Sequence, residues 1–292
     1  MRLVASAFLA GGSARHFGGD AAAGADDCSP GEPCVGAASE SSVRQSADHI
    51  HPSWDPDRWE LSLDESFDGT DLDDETWRTR FPWGRDRSSV GELQWYVRDD
   101  LERSDFFQVA DDRLRIVADR CVLPMEPDRE FCSGLLSTHE SFSQEYGYFE
   151  IRARMPAGQG LWPACWLLPL DESRQREIDI FEILGHEPNI VHMNVHYTDE
   201  DEEQTAIPGE FTGPDYSRAY HTFAIDWNEE RIVWYVDGVE RHRVSESEAV
   251  PSGQFYLIAN LAVGGHWPGH PDETTPFPAH LDIDFIRAYR RR

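Results

Sequence analysis

From about residue 54 to its end, the chain is written in short apolar or alternating runs separated by turn formers, and this period most restricts its fold. In residues 148–155, Phe149, Ile151, Ala153 and Met155 alternate with Tyr148, Glu150, Arg152 and Arg154, the spacing of a half-buried strand. Similar runs recur at 221–227, 231–239, 255–263 and 281–289, and Asp237-Gly238 is a hairpin-type turn signal between two of them. Long amphipathic helical patterns are scarce. Many strands with few helices predict an all-β fold, an antiparallel β-sandwich or jelly roll. Residues 1–53 read differently. They are rich in Ala, Gly, Ser and Asp and hold two aromatics, Phe8 and Phe17, too few to bury a core. The expected organisation is a signal-plus-linker tail over 1–53 and one β-domain over 54–292.

Charge narrows the partners. The 26 basic residues, all Arg, face 55 acidic ones, a formal net of -29. Such a surface repels nucleic-acid phosphates and anionic membranes, and acidic glycans at low salt, so a neutral polysaccharide is the expected partner. The same composition suits a salty medium that screens self-repulsion; a GC-rich genome spelling its basic residues as Arg is the plainer account. A monomer is expected. The start, Met1-Arg2 followed by LVASAFLA, has the outline of a short secretory signal, so the chain is expected outside the cytoplasm, secreted or periplasmic. Cys121 and Cys132 bracket a loop holding Pro124 and Pro127 and form the favoured disulfide, with Cys28–Cys34 a second option in the tail. Cys165, in an apolar run, reads as a buried thiol.

The chemistry concentrates in Glu177–Ile183, EIDIFEI. On an extended strand Glu177 and Asp179 share a face while Ile178 and Ile180 take the other. Glu182, five residues beyond Glu177, has the wrong parity. A one-residue β-bulge around Ile180-Phe181 corrects it and returns Ile183 to the core. Three carboxylates on one face repel each other, a cost that points to use. Retaining glycoside hydrolysis needs two carboxyl groups about 5–5.5 Å apart, one as nucleophile and one as acid/base. A third between them separates their pKa values. The rival reading is a solvated acidic strand.

The flanks favour the first reading. In 191–197, Val191, Met193, Val195 and Tyr197 alternate with His192, Asn194 and His196, so three polar side chains border the same cleft if this run pairs with the acidic strand. His192 and His196 also have the spacing of a zinc pair, but that pairing belongs on a helix. Trp162 and Trp166 precede the acidic run, and Trp267 lies in a Gly-rich stretch; Trp162 and Trp267 read as loop-borne platforms for sugar rings.

Together these segments resemble glycoside hydrolase family 16, the laminarinases, lichenases and related endo-glycanases. EIDIFE matches the family's bulged signature residue by residue. The likeness extends through 133–169, 91–97, 221–238 and 255–269, and covers about 54–292. It implies a concanavalin-like jelly roll with the sugar cleft on the concave face. It also implies a retaining endo-β-glucanase with Glu177 as nucleophile, Asp179 as assisting acid and Glu182 as acid/base, and no cofactor in the reaction. Trp95, Trp162, Trp166, His196 and Trp267 are the expected substrate contacts. The bulged signature implies β-1,3-glucan first and mixed β-1,3/1,4-glucan second. A structural calcium on the convex side is implied through Glu65 and Asp284, which lie in the matching segments. The chain departs from the family pattern at Gly91, Leu135 and His266, where Asn, Arg and Asn are common, positions that bear on specificity. A non-catalytic sugar-binding jelly roll and a transglycosylase on the same scaffold are the competing functions.

Overall fold

The alternating runs become strands. The computed structural model describes residues 55, 57–85, 90–97, 104–123, 129–171, 176–199 and 201–292; the expected tail, its Cys28 and Cys34, and the signal-like start lie outside them. Among the described residues sixteen strands run in chain order. They are β1 (Trp59–Glu65), β2 (Gln94–Tyr96), β3 (Phe107–Val109), β4 (Leu114–Arg120), β5 (Phe131–Ser133), β6 (Leu135–Ser137), β7 (Gly147–Arg154) and β8 (Leu161–Pro169). There follow β9 (Glu177–Glu182), β10 (Ile190–Thr198), β11 (Gln204–Thr212), β12 (His221–Trp227), β13 (Ile232–Val236), β14 (Val239–Val244), β15 (Phe255–Val263) and β16 (Ala279–Arg291). Among the described residues the one complete helical element is the short turn Ser104–Phe106, and no helix is long and apolar enough to cross a membrane.

The strands form two sheets of a jelly-roll sandwich. One has six strands in the order β11-β10-β9-β8-β15-β6, antiparallel throughout. The other runs β14-β13-β12-β7-β16-β4-β5-β2, with β1 on β16 and β3 on β4; its β2–β5 pair is parallel. The main core lies between the sheets. It is filled by Phe149, Ile151 and Ala153 of β7, Phe223 and Ile225 of β12, and Leu257, Ala259 and Leu261 of β15. The β13–β14 hairpin turns at Asp237-Gly238, where both residues have positive φ, +50° and +72°. This is the geometry that matches strand twist and that glycine adopts at no steric cost.

In β7 the structure buries more than alternation predicts. Tyr148 and Glu150, on the face away from the core, are covered as well. Trp59 of β1, Ala224 and Tyr289 close over Tyr148 as a small second cluster, and the Tyr289 hydroxyl donates to Glu150. The Cys121–Cys132 disulfide forms, with Cα atoms 5.6 Å apart, and Cys165 is a buried free thiol, both as expected. Closing that loop contributes about 2–3 kcal/mol in the chain-entropy account.

Candidate active site

Strand β9 sits in the interior of the six-stranded sheet, hydrogen-bonded on both sides, so its irregularity is fixed by two neighbours. Against β8, Glu182 pairs with Ala164 and Phe181 with Cys165, but the next pair is Asp179 with Trp166. Ile180 is therefore the extra residue. Against β10 the same step appears: five residues, from Ile178 to Glu182, face four, from Val195 to His192. The bulge restores parity as the sequence predicts. Ile178, Ile180, Phe181 and Ile183 enter the core, while Glu177, Asp179 and Glu182 line one pocket on the sheet's outer face. From the opposite sheet, the Trp234 indole N–H donates to the Asp179 carbonyl at 2.7 Å and so pins the bulge across the core.

The flanking strands present their polar sides to the same pocket. Val191, Met193 and Val195 of β10 face the core, and Asn194 and His196 meet the carboxylates. Asn194 Nδ2 donates to Glu182 Oε2 at 2.8 Å, and Trp162 Nε1 donates to Oε1 at 3.1 Å. His196 Nε2 donates to Asp179 Oδ2 at 3.1 Å. His192, on the same face, instead packs against the Trp267 ring at 4.7 Å. Trp267 in turn meets Trp162 edge-on at 5.6 Å.

Electrostatics separates the groups. Burial, then the nearby charges of Asp179 and Glu177, push Glu182 well above the usual glutamate range, against the opposing pull of His196 and Asn194. Burial alone would lower His196. The hydrogen bond and charge of Asp179, with Glu177 and Glu182 behind it, outweigh burial and push His196 up to about 9. Oxygens of Glu177 and Asp179 and a ring nitrogen of His196 lie within 4.8 Å of one another, a donor set of metal-site size. Within it the His196 ring nitrogen is already held by Asp179 at 3.1 Å.

The expected substrate contacts fare unevenly. Trp166 lines the pocket but is nearly covered, its indole N–H held by Asn260 Oδ1 at 2.8 Å. Trp162 lines it too, from strand β8 rather than from a loop. Trp267 stands on the loop after β15 behind Trp162. Trp95 is a correction. It packs against the main core with the Arg129 guanidinium over its ring. Strand alternation gives the outer face to its neighbour Tyr96, whose hydroxyl accepts from Asn260 Nδ2 at 2.9 Å. Phe81, Val90, Glu92 and Asn260 also line the pocket. Asn260 was detectable, as the one polar side chain inside the apolar run 255–263. Phe81 lies far from the acidic strand in sequence and carries no such mark; Trp83, 44% exposed, stacks on it at 4.8 Å.

Gly91 and His266 touch. A Cβ on Gly91 would come within 3.0 Å of the His266 ring, and Gly91 has φ +78°. Leu135 is buried beneath the outer face beside Tyr96 and Trp166. The calcium expectation does not fit. The Asp284 carboxylate is engaged by Arg152 and Arg113. The Glu65 oxygens accept from the Phe67 amide and the Trp77 indole, each at 2.8 Å. Both carboxylates thus already have protein N–H groups as partners.

A carboxylate triplet on a bulged strand, walled by tryptophan, is decided by comparison. Residues 102–287 match the family described as Glycosyl hydrolases family 16. The chain belongs to that family. It is 36% identical to a beta-glucanase of Rhodothermus marinus over 80% of this chain and 85% of the relative. It is 34% identical to the endo-1,3-1,4-beta-glycanase EglC of Rhizobium meliloti over 84% of this chain and 56% of the relative. The chain thus spans about half the length of that glycanase. Among solved structures, the endo-beta-1,3-glucanase from Pyrococcus furiosus aligns with TM-score 0.71 and 30% identity, over 81% of this chain and 99% of that one. The jelly roll and its acidic strand are those of this family of glycoside hydrolases.

Proposed function

We propose that this protein is an endo-acting, retaining β-glucanase that cuts β-1,3-glucan or mixed β-1,3/1,4-glucan. The observation that carries the reading is the convergence of Glu177, Asp179 and Glu182 in one tryptophan-walled pocket. In the first step Glu182 gives its proton to the leaving glycosidic oxygen while Glu177 attacks the anomeric carbon. In the second, ionised Glu182 takes a proton from water, whose oxygen displaces Glu177 and leaves the anomeric configuration retained. The raised pKa of Glu182 supports its role as the acid: it holds a proton where an ordinary glutamate has lost it. Asp179, paired with His196, shapes the field between the two. Trp162 and Trp166 wall the sugar site, with Trp267 behind Trp162. The names of relatives, one for mixed-linkage and one for β-1,3 cleavage, support both linkages as candidates.

The disulfide supports export to an oxidising compartment, secreted or periplasmic. The charge of -29 supports a neutral glycan, a salty medium and a monomer without nucleic-acid or membrane partners. Incubation with laminarin and with mixed-linkage glucan, followed by product sizing and time-resolved NMR of the new reducing ends, tests the reading. Short oligosaccharides should appear with the β-anomer first. Glu177→Gln should lose at least about 10³-fold in kcat with sugar binding retained. Longer chains would indicate transglycosylation, and binding without new ends a sugar-binding protein.

A further inference from the structure

Asn194 has no role in the reading above beyond touching Glu182, yet its placement is specific. It projects from β10 at the step where β9 carries its extra residue, between the pairs His192–Glu182 and Val195–Ile178. Its side chain is buried, and its one side-chain hydrogen bond among the described residues is the 2.8 Å bond to Glu182 Oε2. The second oxygen, Oε1, is met by Trp162 Nε1, which can only donate. In the two-step reaction the Glu182 carboxyl must be both protonated and ionised in turn, in one position. Both bonds are donated to the carboxyl, so both favour its ionised form.

We propose that Asn194 is a positioning residue that holds Glu182 in its ionised state. Its Nδ2 donates to the ionised carboxylate. That bond keeps Glu182 in place once it has given up its proton and must take one from water. The inference rests on Glu182 being the acid/base.

The charges around Glu182 come from every packed element. Glu177 and Asp179 lie on its own strand, and His196 with neutral, burial-depressed His192 on β10. Glu210 of β11 stands 3.9 Å from His192, and Glu92 lines the pocket; β8 contributes the uncharged Trp162. Asn194 is the neutral group among them that hydrogen-bonds Glu182 Oε2. Removing it takes a donor from the anion, so Glu182 should hold its proton to higher pH.

The test is the pH dependence of kcat/KM on soluble β-glucan for Asn194→Leu, Asn194→Ala and Asn194→Thr. The basic limb, where the acid loses its proton, should move up by roughly one pH unit in Leu and Ala. In Thr, whose hydroxyl both donates and accepts, the limb should return toward wild type. A fall in activity equal at every pH, or a limb unmoved or shifted downward, overturns the proposal, and the Ala variant answers should Leu fail to fold. Glu182→Ala with azide and an aryl glycoside carrying a good leaving group checks the underlying assignment separately. Formation of a β-glycosyl azide keeps Glu182 as acid/base whatever Asn194 does; its absence overturns that assignment itself.

Discussion

Glu182 costs the folded protein stability. Its carboxyl is buried beside Asp179 and Glu177, and its pKa is raised above the ordinary glutamate value. The folded state therefore binds more protons than the unfolded chain as pH climbs past about 4.5, and stability falls as pH rises through that window. His196 acts in the same direction: raised from 6.5 to about 9, its contribution is complete below about 6.5 and lost as pH passes about 9. Glu182→Gln keeps the shape, removes the charge, and lets the amide of Asn194 turn to suit. The variant should be inactive yet melt higher than wild type, by at least about 2 °C for each kcal/mol released. The gap should widen from pH 5 upward. Melting curves across pH check this; a variant less stable at every pH would show that Glu182 is a structural support. The parity of these acids was readable from the sequence because strand period and acid spacing disagree by one residue. Their partners were readable only in part. Asn194 and His196 alternate visibly with core residues, whereas nothing in a single sequence says which oxygen Trp162 or Asn194 will meet.

At the level of strands, the site depends on one irregularity held from two directions. Lateral pairing to β8 and β10 sets the register of β9, and Trp234 of β13 reaches across the core to the Asp179 carbonyl. Trp234→Phe leaves a buried carbonyl without its donor, at about 1–3 kcal/mol, and adds the cost of the void where the indole's second ring stood. Because that carbonyl belongs to the residue beside the bulge, kcat should fall with little change in KM. Denaturant melts and steady-state kinetics check both; an unchanged kcat would separate the bulge from the chemistry. The bulge itself followed from parity, but its support did not. Residues 179 and 234 are 55 positions apart, and a tryptophan in an alternating strand looks like any other core residue. The same blindness explains Trp95. In the three-residue strand 94–96 alternation cannot say which aromatic takes which face, and the fold packs Tyr96 against Asn260 and Trp95 against the main core. Glu65 and Asp284 likewise lay in the right segments, and only the fold shows Arg113 and Arg152 already on Asp284.

For the whole molecule, -29 charges on 292 residues are a uniform repulsion that local Arg–carboxylate pairs relieve only in part. Several of those pairs are exposed on both sides, for example Arg290–Glu60 and Arg243–Glu240, and such pairs are worth little each. Salt shortens the Debye length from about 10 Å at 0.1 M to about 3 Å at 1 M, so the melting temperature should rise with added sodium chloride. A gain of about 2–4 °C is expected for each kcal/mol of repulsion relieved. A flat or falling curve would mean that screening the ion pairs outweighs it. Fold class was legible at this scale because strand period repeats across the chain; which of two stacked sheets carries the cleft was set by the acidic strand alone. The account stands on Glu177 forming a covalent bond to sugar while Glu182 serves it as acid and base. Incubation with a 2-deoxy-2-fluoro-laminaribiosyl fluoride, followed by peptide mass mapping, reads this directly. The account predicts one fluoroglycosyl adduct, on Glu177; an adduct on Glu182 or on another residue would contradict it.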